Sequence, residues 1–266
     1  MRRESVWVKT AVTGVVLGTA MALSACSASG QGAAAGSASP VAKKTVIVFA
    51  AASLKATFTQ MADDLKKQHP ELDIKLNFAG SQDLVAQIKA GAPADVVATA
   101  DLATMDKLTA NGSVDGTPQH FASNTLTIAV PPSNPANIGS LADLAKPGTR
   151  TVLCAVQVPC GAASQKVEKA ASLTIKPVSE ELSVSDVLGK VASGEADAGL
   201  VYKTDVQGSK GKVKGVDFPQ SSSAVNTYAI GLVKGAPDAD GGRLFLSDVT
   251  GDSGQAVLAA AGFGKP

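Results

Sequence analysis

The chain has 266 residues, a formal net charge of +1 and a sequence pI of about 7.7. Only 4% of its residues are aromatic, and the basic residues form no block. A nucleic-acid-binding protein normally needs a basic surface and aromatic stacking residues, so this class is disfavoured. The length is sufficient for a large core and for two domains.

Residues 1–25 have the pattern of an export signal. A basic start precedes an uncharged, mostly apolar run over residues 10–25, which is shorter than the roughly 20 residues that a membrane-spanning helix needs. The run ends in Leu-Ser-Ala-Cys at residues 23–26, which resembles the lipobox of bacterial lipoproteins. This resemblance implies cleavage before Cys26 and attachment of a lipid to its thiol. An uncleaved N-terminal anchor is the alternative.

Residues 26–42 predict a flexible tether. After Cys26 the segment consists almost entirely of Gly, Ala, Ser and Pro, with no charge and very little bulk. Such a segment cannot bury enough apolar surface to order itself. We therefore expect a folded body that is held by lipid at the extracytoplasmic face of the cell membrane. No second apolar run is long enough to span a bilayer.

The body, from residue 43 onward, alternates between strand-like and helix-like segments. The run Thr45–Phe49 is apolar and rich in β-branched residues, which is typical of a buried parallel strand. Apolar residues then recur at helical spacing from Leu54 to Leu65. The further predicted strands are 72–78, 95–98, 125–130, 151–156, 198–202 and 227–233, and the further helices begin at 84, 161 and 185, with helical spacing in the tail over 244–258.

This order predicts an α/β fold with two lobes and a ligand cleft between them. Strands that alternate with helices form parallel sheets covered on both faces. We expect lobe I to comprise 43–126 and 226–266, and lobe II to comprise 127–225, with two crossing strands between them. In such sheets ligands bind outside the carboxyl ends of the strands.

Two serines occupy the same architectural position. Ser53 follows the first strand and Ser81 the second; small residues precede both, and a predicted helix follows each. A helix N-terminus carries unpaired N–H donors and partial positive charge, which suits a small anion. An ordinary helix N-cap is the alternative for each serine.

Several motifs resemble the periplasmic molybdate-binding proteins of ABC importers. The similarity extends over the whole body from about residue 44, and the order of its blocks is specific. It implies the two-lobed periplasmic-binding-protein fold of type II. The motifs are FAAASL at 49–54, FAGS at 78–81, QIKAGAPADV at 87–96, NTL at 124–126, VPCG at 158–161 and GEADAGLVYKTD at 194–205.

The resemblance also implies a ligand set and a function. That family holds its tetrahedral oxyanion with two serine hydroxyls, a tyrosine hydroxyl and backbone N–H groups, with no charged side chain and no cofactor. It implies a monomeric receptor that captures molybdate or tungstate and delivers it to an ABC permease in the membrane. Cys160 stands where the family usually has alanine. The matching positions here are Ser53, Ser81, Cys160, Val184 and Tyr202.

The cysteines predict one disulfide. If Cys26 carries a lipid, Cys154 and Cys160 remain as a pair, and an exported protein meets an oxidising compartment. A metal site is the alternative, but His69 and His120 are the only histidines and neither lies near a cysteine cluster. We therefore expect a disulfide and no metal ion as a direct ligand of the protein.

Two other functional classes compete with a molybdate receptor. An enzyme with a serine nucleophile would need a base, and the chain has neither a G-x-S-x-G motif nor a recognisable histidine arrangement. A receptor for sulfate or an organic acid is the stronger alternative. Carboxylate binders commonly use an arginine fork, but Arg150 and Arg243 lie outside the matched motifs. None of the matched positions is acidic, which disfavours a protonated phosphate, whereas sulfate differs from molybdate mainly in size.

Overall fold

The computed structural model describes residues 43–266. The predicted signal peptide, the predicted lipidation site at Cys26 and the predicted tether lie outside these residues. Within the described part of the chain, no helix is both long and apolar enough to cross a membrane.

Ten strands and eight α-helices follow one another along the described residues. In chain order they are β1 (Lys44–Ala51), α1 (Lys55–Gln68), β2 (Leu72–Ala79), α2 (Ser81–Lys89), β3 (Val96–Thr99), α3 (Leu102–Ala110), β4 (Val114–Asn124), β5 (Leu126–Val130), β6 (Thr151–Cys154), α4 (Pro159–Ala171), β7 (Ser179–Glu181), α5 (Val184–Ala192), β8 (Ala198–Tyr202), α6 (Lys203–Gly208), β9 (Lys214–Val216), β10 (Asn226–Val233), α7 (Ala239–Thr250) and α8 (Asp252–Ala260).

The strands form two five-stranded sheets. The first has the order β2-β1-β3-β10-β4, and the second has the order β7-β6-β8-β5-β9. In each sheet three consecutive strands are parallel, and the next strand, β10 or β5, runs antiparallel to them. The parallel strands are joined through helices, so their carboxyl ends and the helix N-termini lie at one edge of each sheet. The predicted α/β class is confirmed.

The chain crosses from one sheet to the other twice. It passes from β4 to β5 through the single residue Thr125, and it returns between Val216 and Asn226. Asn124 and Asn226 are paired where β4 and β10 meet, so both crossings lie side by side. The assignment of 43–126 with 226–266, and of 127–225, to separately moving lobes stays a prediction.

An aromatic cluster fills the core of the first sheet and extends toward the crossing. Phe58 lies between Phe121 and Phe245, with ring centroids 5.9 and 5.4 Å away. Tyr228 on β10 continues the series toward Tyr202 of the second sheet, at 6.0 Å. Offset and edge-to-face rings of this kind stabilise a core beyond the apolar area that they bury. The cluster gives the crossing point a rigid support.

Three local predictions differ from the structure. The strand predicted over 151–156 ends at Cys154, because a turn leads from there into α4 at Pro159. Helix α3, most of β4 and the short elements β7, α6 and β9 are not among the predicted elements. The tail is two helices rather than one, since Gly251 has an extended backbone that ends α7 and precedes α8.

Candidate ligand-binding site

A small cavity lies where the two sheets face each other, and all five predicted site residues line it. The centre of a water-sized sphere can occupy about 10 Å³ within it, which is room for a single water-sized group. Every lining residue is neutral, so neither a cation nor a carboxylate faces the cavity. The lining consists of Ala51, Ala52, Ser53, Ala79, Gly80, Ser81, Ala100, Val158, Pro159, Cys160, Val184 and Tyr202.

The two serine hydroxyls do not cap their own helices. Ser53 lies in a single 3-10 turn, Ala52–Leu54, ahead of α1, and Ser81 is the first residue of α2; no side-chain cap is formed at either helix start. The Ser53 Oγ lies 2.9 Å from the Oη of Tyr228, and the Ser81 Oγ accepts a 3.0 Å hydrogen bond from the N–H of Ala100. The N-cap alternative therefore fails for both serines.

Cys160 and Val184 lie in the first turns of helices α4 and α5. The first four N–H groups of a helix have no acceptor within it, so each residue carries a backbone donor that is free for a ligand. A Cβ on Gly161 would overlap the carbonyl oxygen of Ala155, so the start of α4 packs closely against the end of β6. Together with the starts of α1 and α2, four positive helix ends surround the cavity.

Tyr202 supplies a third hydroxyl to the cavity from the end of β8. Its side chain is 1% exposed, and its Oη accepts a 3.0 Å hydrogen bond from the Nδ2 of Asn226. Burial raises the pKa of Tyr202 well above 10, and the nearby Tyr228, Asp101 and Asp205 raise this pKa further. Burial likewise raises the pKa of Tyr228. Both phenols therefore keep their protons and can donate hydrogen bonds.

Asp205 fixes the backbone at Tyr202. One carboxylate oxygen accepts a 3.0 Å hydrogen bond from the N–H of Tyr202, which also caps the first turn of α6. Burial raises the pKa of Asp205 to about 7, and the hydrogen bond from Tyr202 only partly offsets this rise.

The two sides of the cleft touch beside the cavity. The Nε2 of Gln82, in the first turn of α2, donates a 3.1 Å hydrogen bond to the carbonyl oxygen of Leu182, just ahead of α5. A Cβ on Gly80 would overlap the same carbonyl oxygen. Glycine is therefore required here for the close approach of two backbones.

The predicted disulfide partners are bonded to each other. Cys154 ends β6, and Cys160 lies in the first turn of α4, with their Cα atoms 5.7 Å apart. The bond joins the strand end to the helix end that lines the cavity. Among residues 43–266, no group of three or more His, Cys, Asp or Glu side chains could hold a metal ion.

Comparison with known proteins identifies the family. Residues 46–264 match the family described as bacterial extracellular solute-binding protein. The chain belongs to this family. It is 44% identical over 223 residues to the molybdate-binding protein ModA of Mycobacterium tuberculosis, which covers 84% of this chain and 85% of that relative.

Solved structures agree with this membership. The periplasmic molybdate-binding protein of Azotobacter vinelandii has a TM-score of 0.72 and 25% identity, covering 83% of this chain and 99% of that chain. The sulfate-binding protein SubI of Mycobacterium tuberculosis has a TM-score of 0.71 and 16% identity, covering 82% and 86%, and shares the fold alone. The predicted two-lobed binding-protein fold is confirmed.

The residues behind the hydroxyls of this solute-binding protein were not predicted. Asn226 and Tyr228 lie two apart on β10, so both side chains point to the same face of the strand. Tyr228 is one of only two tyrosines in the chain, and this rarity was the one available signal. Their contacts to Tyr202 and Ser53 depend on the position of β10 in the first sheet, between β3 and β4.

Proposed function

We propose that this protein captures molybdate, and also tungstate, outside the cytoplasm and delivers it to an ABC permease. The observation that carries the proposal is a neutral cavity lined by three hydroxyls and surrounded by four helix N-termini. The 44% identity to a molybdate-binding protein supports the choice of oxyanion. The proposed ligands are Ser53, Ser81, Tyr202 and the backbone N–H groups of Cys160 and Val184.

The chemistry of the cavity suits a fully ionised oxyanion. A tetrahedral dianion has only acceptor atoms, and each hydrogen bond to a charged group contributes roughly 1.5–3 kcal/mol. Hydroxyls, amides and helix ends supply such bonds without the cost of burying a cation. An acidic side chain in the lining would favour a hydrogen-bearing anion, and the lining has none.

The proposed mechanism is closure around the anion. Ser53 and Ser81 belong to the first sheet and its helices, whereas Cys160, Val184 and Tyr202 belong to the second. Only the closed arrangement brings both sets to one anion, so binding favours closure. The hydrogen bond between Gln82 and Leu182 adds a contact across the closed cleft.

We further propose a monomer that is anchored to the extracytoplasmic face of the cell membrane by a lipid on Cys26. The second candidate ligand is sulfate, because it has the same charge and shape in a smaller size. The neutral lining supports sulfate as well as molybdate, because it does not discriminate between the two dianions by charge.

Thermal unfolding of the purified protein with molybdate, tungstate, sulfate or phosphate tests the proposal. A ligand at about a hundred times its dissociation constant adds roughly 2.7 kcal/mol of stability, which raises Tm by several degrees. We expect a rise with molybdate and tungstate and none with phosphate. A rise with sulfate as well would indicate a less selective oxyanion receptor, and no rise with any of the four would contradict the proposal.

A further inference from the structure

Two of the cavity hydroxyls accept hydrogen bonds from N–H groups behind them. The Ser81 Oγ accepts from the N–H of Ala100 at 3.0 Å, and the Tyr202 Oη accepts from the Nδ2 of Asn226 at 3.0 Å. An N–H group cannot accept a hydrogen bond in return. The hydroxyl hydrogens of Ser81 and Tyr202 must therefore point away from these partners, which leaves them available to donate hydrogen bonds to a ligand in the cavity.

Asn226 connects these two hydroxyls across the cleft. Its Nδ2 also donates to the carbonyl oxygen of Ala100 at 2.9 Å, and the N–H of that same residue holds Ser81. A continuous series of hydrogen bonds thus runs from Ser81 of the first sheet through Ala100 and Asn226 to Tyr202 of the second. Asn226 is 5% exposed, so water does not compete for its amide.

The orientation of the Asn226 amide is determined by its surroundings. A carbonyl oxygen such as that of Ala100 can only accept, so the group that faces it must be the NH₂ and not the amide oxygen. The same NH₂ group has a second hydrogen, and this one is directed to the Tyr202 Oη. The backbone carbonyl of Ala100 thus determines that Asn226 is the donor and the Tyr202 Oη the acceptor in their hydrogen bond.

The geometry points to Asn226 as a positioning and specificity residue for the oxyanion site. It touches no ligand itself; it holds the Tyr202 hydroxyl as a hydrogen-bond donor and links it to Ser81. The site then offers only donors, and it selects anions that carry no hydrogen. This inference rests on the proposed function, because it assumes that Tyr202 and Ser81 bind the anion.

A double-mutant cycle tests the inference. Asn226→Ala, Tyr202→Phe and the combined variant are compared with the wild type for molybdate binding by isothermal titration calorimetry. We expect Asn226→Ala to weaken binding about tenfold, the equivalent of one hydrogen bond. In the Tyr202→Phe background the same change should cost clearly less, because the hydroxyl that it positions is already absent. Losses that multiply independently would overturn the inference.

Asn77→Ala is the matched control. Asn77 has a half-buried side-chain amide, which donates a 3.1 Å hydrogen bond to the Oε1 of Gln87 within the first sheet and its helices. We expect this variant to bind molybdate as the wild type does. An equal loss in Asn77→Ala and Asn226→Ala would show a general effect of amide removal and would overturn the inference.

Asn226→Asp retains the size of the side chain and reverses its polarity. The carboxylate would accept the Tyr202 hydrogen and turn the phenol oxygen toward the anion, so we expect molybdate affinity to fall more than for Asn226→Ala, by about 100-fold or more. Binding equal to the wild type would overturn the inference. If the wild type itself does not bind molybdate, the proposed function fails; if the wild type binds and both Asn226 variants bind equally well, only this inference fails.

Discussion

The hydroxyl oxygens of Ser53 and Tyr228 lie 2.9 Å apart, although 175 residues separate the two in the chain. Ser53 lies in the first helical turn after β1, and Tyr228 lies on β10, the strand to which the chain returns from the second sheet. The Tyr228 ring is fully buried, 6.1 Å from Phe121 and 5.4 Å from Phe263. The Ser53 hydroxyl at the cavity is thus hydrogen-bonded to a tyrosine of the aromatic core.

Tyr228→Phe should weaken molybdate binding without creating a cavity in the core. The ring stays, but Ser53 loses the partner that orients its hydroxyl, so we expect an affinity loss of about 3- to 10-fold, the worth of one neutral hydrogen bond. Calorimetric titration measures this loss. In a Ser53→Ala background the same change should have no further effect. Undiminished affinity in Tyr228→Phe would show that Ser53 is oriented without this contact.

Ser81→Ala and Tyr202→Phe should each reduce molybdate affinity by tenfold or more. Each removes a proposed hydrogen bond to a dianion, worth roughly 1.5–3 kcal/mol. Ser209→Ala is the control, because this buried serine bonds only locally, donating at 2.7 Å to the carbonyl oxygen of Val206. The proposed ligand set would be wrong if both site variants bound molybdate with wild-type affinity in the same titrations.

The cavity-lining serines could be predicted as candidate anion-binding residues because their signals are local. Ser53 and Ser81 each follow a strand and small residues and precede a helix, and each of these features lies within a few residues in the chain. Tyr202, like Cys160 and Val184, is assigned through the resemblance to molybdate-binding proteins; its place at the end of the apolar strand β8 does not by itself indicate a ligand. Local patterns of this kind determine which strand ends carry which groups, and the architecture then brings those ends together.

The supporting contacts could not be predicted because they span long distances in the chain. Asn226 reaches Ala100 across 126 residues, and only the antiparallel pairing of β10 with β3 brings these elements together. Helix α3 was missed for another reason. It has nine residues and a short buried face. At its start, the Asp101 side chain accepts a 2.8 Å hydrogen bond from the N–H of Thr104. Only two of its buried residues, Met105 and Leu108, are apolar, which is too few to establish a helical period.

Gly80→Ala should prevent full closure of the cleft. The added methyl group would overlap the carbonyl oxygen of Leu182, so the two sides would have to move apart. The φ of −59° at Gly80 is accessible to alanine, so the fold itself should tolerate the change. We expect molybdate affinity to fall at least tenfold while the Tm of the ligand-free protein changes little. Gly189→Ala, at an open helical position, is the control; wild-type affinity in Gly80→Ala would contradict the required close approach.

Asp205→Asn should change how stability depends on pH. The pKa of Asp205 is about 7 in the folded protein, compared with 3.8 for an ordinary aspartate. Between these values the folded state keeps a proton that the unfolded state has lost, so wild-type stability falls as pH rises from about 4 to 7. Asparagine retains an acceptor for the Tyr202 N–H and removes this titration. We expect the Tm difference between variant and wild type to grow by a few degrees in favour of the variant across that range. A difference that is constant with pH would contradict the raised pKa.

Loss of the Cys154–Cys160 bond should affect both the stability of the fold and the ligand-binding site. The bond closes a short loop, with a sequence separation of six, so the chain-entropy estimate of its contribution is about 2 kcal/mol, or several degrees of Tm. The same loop leads to the start of α4 and so positions the proposed Cys160 N–H donor. In the double variant Cys154→Ser, Cys160→Ser we therefore expect cooperative unfolding at a somewhat lower Tm and a molybdate affinity reduced by about 3- to 10-fold. Reduction of the wild type with a thiol should reproduce both changes and leave the double variant unaffected. Wild-type affinity in the double variant would show that the packing of Gly161 against Ala155 positions this helix end without the disulfide.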